Sequence, residues 1–191
     1  GLAALLEDHG AIAKILPIAR DTHLSLKSVF DLTHDADLIV TIGGASVGDH
    51  DLVAEVAMKH GFKQSFYKVA MRPGKPLMAG HFNNTPLVGL PGNPVSAMVC
   101  GHIFLVPMLH AMLGLGQAAR ETMRAPLAHG VEANGGRKHY CRAILRPDGL
   151  HIAERQDSSL LSILAGANAL VIRELNAPPA RSGELVEYLP I

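Results

Sequence analysis

The side chains best suited to chemistry lie in three polar, glycine-rich turns between residues 37 and 97. The first is Gly43-Gly44-Ala45-Ser46-Val47-Gly48-Asp49-His50-Asp51, the second Arg72-Pro73-Gly74-Lys75-Pro76, and the third Gly89-Leu90-Pro91-Gly92-Asn93-Pro94. In the first, Gly43, Gly44 and Gly48 let the backbone approach a ligand and aim amide hydrogens at an anion. Asp49 and Asp51 add two carboxylates of the kind that Mg²⁺ takes. The same pattern also reads as a plain turn with acidic residues near the start of a helix, where the dipole favours them. In the second, Pro73, Gly74 and Pro76 shape the loop around Arg72 and Lys75. Lys68 precedes Arg72 by an even spacing, which puts both on one side of an extended strand. Cations held that close call for an anion; a solvated basic edge strand is the alternative. In the third, Asn93 suits an N-cap and Pro94 the first helical position, so a helix end with free amides follows a Pro-Gly corner. An ordinary capped helix would look the same. All three turns favour one kind of ligand, an anion.

The elements around them must bring these turns together. The apolar run at 38–42 predicts a buried strand before the first turn, 66–71 a strand before the second, and 86–90 a strand before the third. Strands that feed Gly-rich turns and then helices suggest a parallel sheet with its ligand at the carboxyl ends of the strands, in one crevice. Leu2, Leu5 and Leu6 predict a first helix stopped by Gly10, residues 11–18 a strand, and 25–33 a helix. A helix over 52–60 ends at Gly61. Asn83-Asn84 turns a hairpin between 77–82 and 86–90. A long helix runs from 94 to about 113, with Pro107 as its kink. The chain opens on a helix with no strand before it; either the fold has no first strand or the chain is the C-terminal part of something longer, and the second is the expectation.

Residues 114–122 lose apolar periodicity, and a domain boundary is placed there, giving domains 1–116 and 117–191. Beyond it the pattern shortens to strand-sized pieces at 125–129, 140–145, 150–153, 169–173 and 185–189, with turns at Asn134-Gly135-Gly136 and Pro147-Asp148-Gly149. That spacing suggests a small β-barrel or sandwich. Its basic run, Gly136-Arg137-Lys138-His139-Tyr140-Cys141-Arg142, puts Tyr140 and Arg142 on one side of a strand, and Ser158 and Ser159 lie in a polar loop.

Composition narrows the function classes. In 191 residues, 48% are hydrophobic and 18% charged, with a net charge of +0, so no global field draws nucleic acid or an anionic membrane. Cys100 and Cys141 are too few for a disulfide framework and read as reduced thiols in the cytoplasm. No signal peptide is visible, and the apolar stretch 95–115 carries Ser96, His102, Pro107 and His110, as a core helix does. The eleven histidines show no metal-ligand spacing.

The three turns, in order and at their spacing, resemble molybdopterin molybdenumtransferase, the MoeA family, to which the C-terminal domain of gephyrin belongs. The resemblance implies an α/β fold: a three-layer doubly wound sheet of the MogA/MoaB kind, followed by a C-terminal β-barrel. It implies insertion of molybdate into adenylylated molybdopterin with Mg²⁺, releasing molybdenum cofactor and AMP. By motif position, molybdate is held by Ser46, Arg72, Lys75, Pro76, Arg142 and Ser158. Molybdopterin is held by Gly43, Gly44, Gly48, Pro91, Gly92, Asn93, Pro94 and Ser96. Asp21 and Asp51, with Asp49 beside them, fall on the acidic positions tied to Mg²⁺ and adenylate cleavage, and Lys68 on another position important in the family. Two departures stand out: Arg72 replaces a common lysine, and Asp157 stands before Ser158 where glycine is usual. The resemblance covers the C-terminal half of the family, whose N-terminal domains complete the site across a homodimer, so the chain is expected to act as a fragment of reduced activity. It also implies contact with the molybdopterin-adenylating enzyme. Adenylyl transfer to molybdopterin, or a non-catalytic scaffold for a partner peptide, are the alternative readings.

Overall fold

The computed structural model describes residues 1–44, 52–116 and 120–191. The chain forms two compact units that do not follow its order. One holds Ile12–Val69 and Gly74–Asn93; the other holds Gly1–Ala11, Ala70–Pro73 and Pro94–Ile191.

The first unit is a four-stranded sheet in the order β1-β5-β4-β2, with helices α2 (His23–Phe30) and α3 (Leu52–Lys59). Strands β1 (Ile39–Ile42) and β5 (Thr85–Leu90) run parallel, whereas β4 (Met78–Phe82) is antiparallel to both β5 and β2 (Phe62–Tyr67). The sheet is therefore mixed, where the turns alone suggested a parallel one. The hairpin enforces this: Asn83 and Asn84 take φ values of 47° and 72°, the left-handed pair of a two-residue turn. Leu26, Phe30, Ile39, Val53, Val56, Ala57, Phe62, Met78, Phe82 and Leu87 form its core, and Phe30 stacks on Phe82 with ring centroids 4.8 Å apart. Thr22 caps α2 by accepting from the Ser25 amide, and Gly61 ends the α3 segment at φ 104°.

Residues 11–20 are not a strand. They form no regular element, and Ile12, Ile15 and Ile18 are exposed. Their apolar run fits a strand, but no neighbour pairs with them among the described residues.

The second unit holds α1 (Leu2–Glu7), α4 (Pro94–Cys100), α5 (Val106–Met112), α6 (Leu161–Ala165) and a six-stranded sheet. Its order is β3-β7-β9-β10-β6, with β8 (Gly149–Ile152) on the free part of β7 (Lys138–Arg146). The other members are β3 (Met71–Arg72), β6 (Met123–Pro126), β9 (Ala169–Arg173) and β10 (Leu185–Pro190). The ladder is an open path, with an isolated bridge from Leu127 to Leu150. Its core is Leu127, Cys141, Ala143, Leu150, Val171, Val186 and Tyr188 with their small neighbours.

The long helix at 94–112 is interrupted at Gly101–Leu105, which winds as a π turn, the Val106 amide donating five residues back to Gly101. The widening falls just before Pro107, whose ring crowds the carbonyl four residues earlier and which has no amide to give. By length and composition Pro94–Met112 could cross a membrane. Here Val95, Val99, Cys100, Leu105 and Val106 are buried in the protein.

Candidate functional site

In the first unit, the parallel register sets Thr41 beside Gly89 and Ile42 beside Leu90, so the first and third turns leave the sheet side by side. Gly43 and Gly44 sit at φ 83° and 75°, and the Gly43 amide donates to the Leu90 carbonyl at 3.0 Å. Side chains are excluded from this corner. A Cβ at Gly92 would lie 3.3 Å from the Gly43 Cα, and one at Gly44 would lie 2.1 Å from Val53 Cγ2 on α3. Thr41 Oγ1, two residues before Gly43, is buried with no hydrogen-bond partner among the described residues. Ser46, Gly48, Asp49 and Asp51 lie outside the described residues. Asp21 is exposed immediately before the Thr22 cap. Pro91 is buried, and Gly92 is open.

The expected pairing of Lys68 with Arg72 on one strand does not occur. Strand β2 ends at Tyr67, Lys68 turns left-handed at φ 67°, and β3 joins the other sheet. Lys68 and Val69 donate their amides to the Leu77 and Lys75 carbonyls at 2.8 and 3.2 Å, which holds the bend in place. The Lys68 ammonium rests 4.8 Å from the centroid of the Tyr67 ring. Lys75 is exposed and Pro76 half-buried in the same unit.

The second unit collects the basic groups. Strand β3 pairs parallel with β7, placing Arg72 opposite His139, and β7 pairs with β9, placing His139 opposite Arg173. Arg72, His139 and Arg173 thus form one row across three strands. Arg72 Nε donates to His139 Nε2 at 3.3 Å, and its Nη2 lies 3.1 Å from Nδ1. Burial first, then the charges of Arg72, Arg142 and Arg137, push the His139 pKa down to about 4, so the ring is neutral at pH 7. Arg173 is committed elsewhere, donating to the Glu132 and Pro178 carbonyls.

Arg142 is wholly buried. Its Nη2 donates to the Asp157 carbonyl at 3.1 Å, while Nε and Nη1 have no partner among the described residues. Gln156 clasps its backbone, accepting from the Arg142 amide at 2.9 Å and donating to the Arg142 and Ala153 carbonyls. The clasp fixes the loop at 153–158 on β7 and leaves half-buried Ser158 next to the carbonyl on which Arg142 rests. Asp157 caps the following turn, its carboxylate accepting from the Ser159 amide at 2.8 Å, which lowers its pKa.

Among the described residues no carboxylate forms an ion pair with Arg72 or Arg142. A buried guanidinium with two unused donors, beside a second arginine resting on a neutral base, concentrates positive charge and N–H donors of the kind that suits an oxyanion. Sequence reasoning named Arg72, Arg142 and Ser158 and did not single out His139 or Gln156. His139 lies inside a basic run that gave no hint of its partner. In the first unit Gly43 is brought against Gly92. In the second, Pro94 opens α4, and Ser96 is buried on it.

Residues 1–111 match the family model described as a probable molybdopterin binding domain, and residues 124–191 match the MoeA C-terminal region, domain IV. Molybdopterin molybdenumtransferase 2 of Mycobacterium tuberculosis is 37% identical over 75% of this chain and 37% of its own length. Molybdopterin molybdenumtransferase of Nostoc sp. is 32% identical over all of this chain and 46% of its own. The crystal structure of the molybdopterin biosynthesis MoeA protein of Pyrococcus horikoshii superposes with a TM-score of 0.81 at 26% identity, covering 99% of this chain and 46% of that one. The chain spans less than half the length of these relatives.

Proposed function

The chain belongs to the MoeA family of molybdenum cofactor biosynthesis, and on that footing we propose that it takes part in inserting molybdate into adenylylated molybdopterin, with release of AMP. The observation that carries this reading is Arg142, fully buried with two donors unspent. An uncompensated buried cation is costly, and a bound dianion offsets the cost. Arg142, Arg72 and Ser158 would hold molybdate; Lys75, Pro76 and Ser46 are assigned to it by motif position alone. The glycine corner at Gly43, Gly44 and Gly92 would receive the pyrophosphate of the pterin adenylate, with Gly48, Pro91, Asn93, Pro94 and Ser96 beside it.

Asp21, Asp49 and Asp51 would be the donors for Mg²⁺ by motif position. An all-carboxylate set fits a hard cation, which when bound would neutralise phosphate charge. Cleavage of an adenylate needs charge neutralisation more than a strong protein nucleophile, so a molybdate oxygen can serve as nucleophile and no Ser-His-Asp set is called for. Residues 1–116 read as the doubly wound pterin-binding domain. Residues 117–191 read as the β-barrel domain, supported by the bridge from Leu127 to Leu150. A homodimer in the cytoplasm, receiving its substrate from the adenylating enzyme, completes the reading. The relatives' names favour molybdenum insertion over adenylyl transfer or a scaffold role.

The test is calorimetric titration of the intact chain with molybdate and with sulfate, repeated on Arg72→Ala and Arg142→Ala. Saturable molybdate binding that both substitutions weaken supports the reading. A wild-type chain, and a longer form carrying the family's N-terminal domains, that both ignore molybdate would overturn it.

A further inference from the structure

His139 is built into the basic cluster in a way that the anion alone does not require. It is 6% exposed, on a strand whose register sets it directly against Arg72 on one side and Arg173 on the other. Two nitrogens of the Arg72 guanidinium lie 3.3 and 3.1 Å from its two ring nitrogens. We propose that His139 is the positioning residue that holds the Arg72 guanidinium in place for the oxyanion while leaving its charge unspent. This rests on the reading of the site given above.

The argument is one of alternatives at that position. A neutral imidazole has one lone pair in the ring plane and one N–H, so it can accept one hydrogen bond from Arg72 and fix the fork without adding charge. A carboxylate would hold Arg72 more firmly, yet it would cancel the charge that the anion needs. An apolar side chain would leave a long, exposed arginine to swing among rotamers, and ordering it would then weigh against binding. A protonated imidazole would lose its lone pair and repel the guanidinium. The surroundings guard against that last case. Arg72 from β3, Arg142 from β7 and Arg137 just before it all disfavour a second proton, and Arg173 stands opposite on β9. The neighbouring charges of opposite sign do not undo this, because Glu174 is taken by Lys138 at 2.7 Å and the Asp157 carboxylate by the Ser159 amide.

Two measurements on the intact chain test the proposal. The first follows His139 by imidazole NMR through a pH titration in wild type and in Arg72→Ala, a substitution at an exposed side chain. The expected midpoint is about 4 in wild type, rising by about one pH unit in the variant as one cationic neighbour is removed. The second measures molybdate affinity at pH 7.5 in wild type, His139→Ala, His139→Gln and His139→Glu. His139→Ala should weaken binding about tenfold, the worth of one ordered hydrogen bond, and His139→Glu by at least that much. His139→Gln, which keeps a neutral acceptor, should stay within about threefold of wild type. Equal affinity in wild type and His139→Ala overturns the positioning role alone, as does a His139 midpoint indifferent to Arg72. If the chain alone does not bind molybdate, the same variants are measured in a longer form carrying the family's N-terminal domains; failure of that wild-type form as well overturns the reading of the site, and the positioning role with it.

Discussion

The backbones of Gly43 and Gly92 meet: a Cβ at position 92 would stand 3.3 Å from the Gly43 Cα. Two turns separated by some fifty residues are thereby joined at the carboxyl ends of neighbouring parallel strands. Their glycines are needed for different reasons, and substitution separates them.

Gly44→Ala should be the more harmful change. Position 44 is left-handed, at φ 75°, and its Cβ would overlap Val53 Cγ2. Backbone strain and overpacking together predict a loss of about 2–4 kcal/mol and a fall in Tm of roughly 5–15 °C. Gly92→Ala has only the tight approach to Gly43 to accommodate and should cost about 1 kcal/mol. Equal melting temperatures for the two variants would refute this assignment.

Arg142→Met should uncouple stability from binding. Removing a buried, half-partnered guanidinium relieves desolvation and packs an apolar chain in its place, so Tm is expected to stay within about 3 °C of wild type or to rise. Molybdate affinity should fall at least about tenfold, since charged hydrogen bonds are lost. A variant that melts far below wild type would mark Arg142 as structural.

Acid should weaken the fold through two imidazoles. Burial, with Arg120 and His9 nearby, pushes His102 down to about 4, as burial and the arginines do for His139. A histidine with a lowered folded-state pKa gives its full stability above the unfolded value of 6.5. That stability is lost as pH falls from 6.5 toward about 4, because the unfolded chain takes up protons first. The window is worth roughly 3 kcal/mol per residue, at about 1.4 kcal/mol for each factor of ten in proton affinity. Urea melts between pH 7.5 and 4.5 would show it, and His102→Gln should flatten the slope.

Both thiols should be silent in the folded protein. Burial raises Cys100 to about 12 and Cys141 to about 11. At pH 8 the thiolate fraction is then on the order of one in a thousand or less, too small for reaction with DTNB. Both should react at once in guanidinium chloride. Rapid labelling of the native chain would contradict the burial.

Local elements were legible wherever short-range chemistry decides them. The Asn83-Asn84 turn, the glycine after α3 and the strand at Ala169–Arg173 each follow from a few neighbouring residues, whereas the helix read at 25–33 starts earlier, behind the Thr22 cap. Misreadings came where pairing decides. The apolar run at 11–18 reads as a strand, yet no described residue pairs with it. The stretch before the second turn looked like one strand, but the bend at Lys68 sends its last residues to another sheet.

The sequence by itself determined where three glycine-rich turns fall and that Arg72 and Arg142 stand in basic runs, because residue type and spacing are local facts. Only the tertiary structure decided what those arginines rest on. His139 meets Arg72 across 67 residues through strand register, and Gln156 fixes Arg142 from a loop 14 residues on. Register is set by which edges find each other when the core closes, and burial decides which ring stays neutral. Neither is written in any short run of residues.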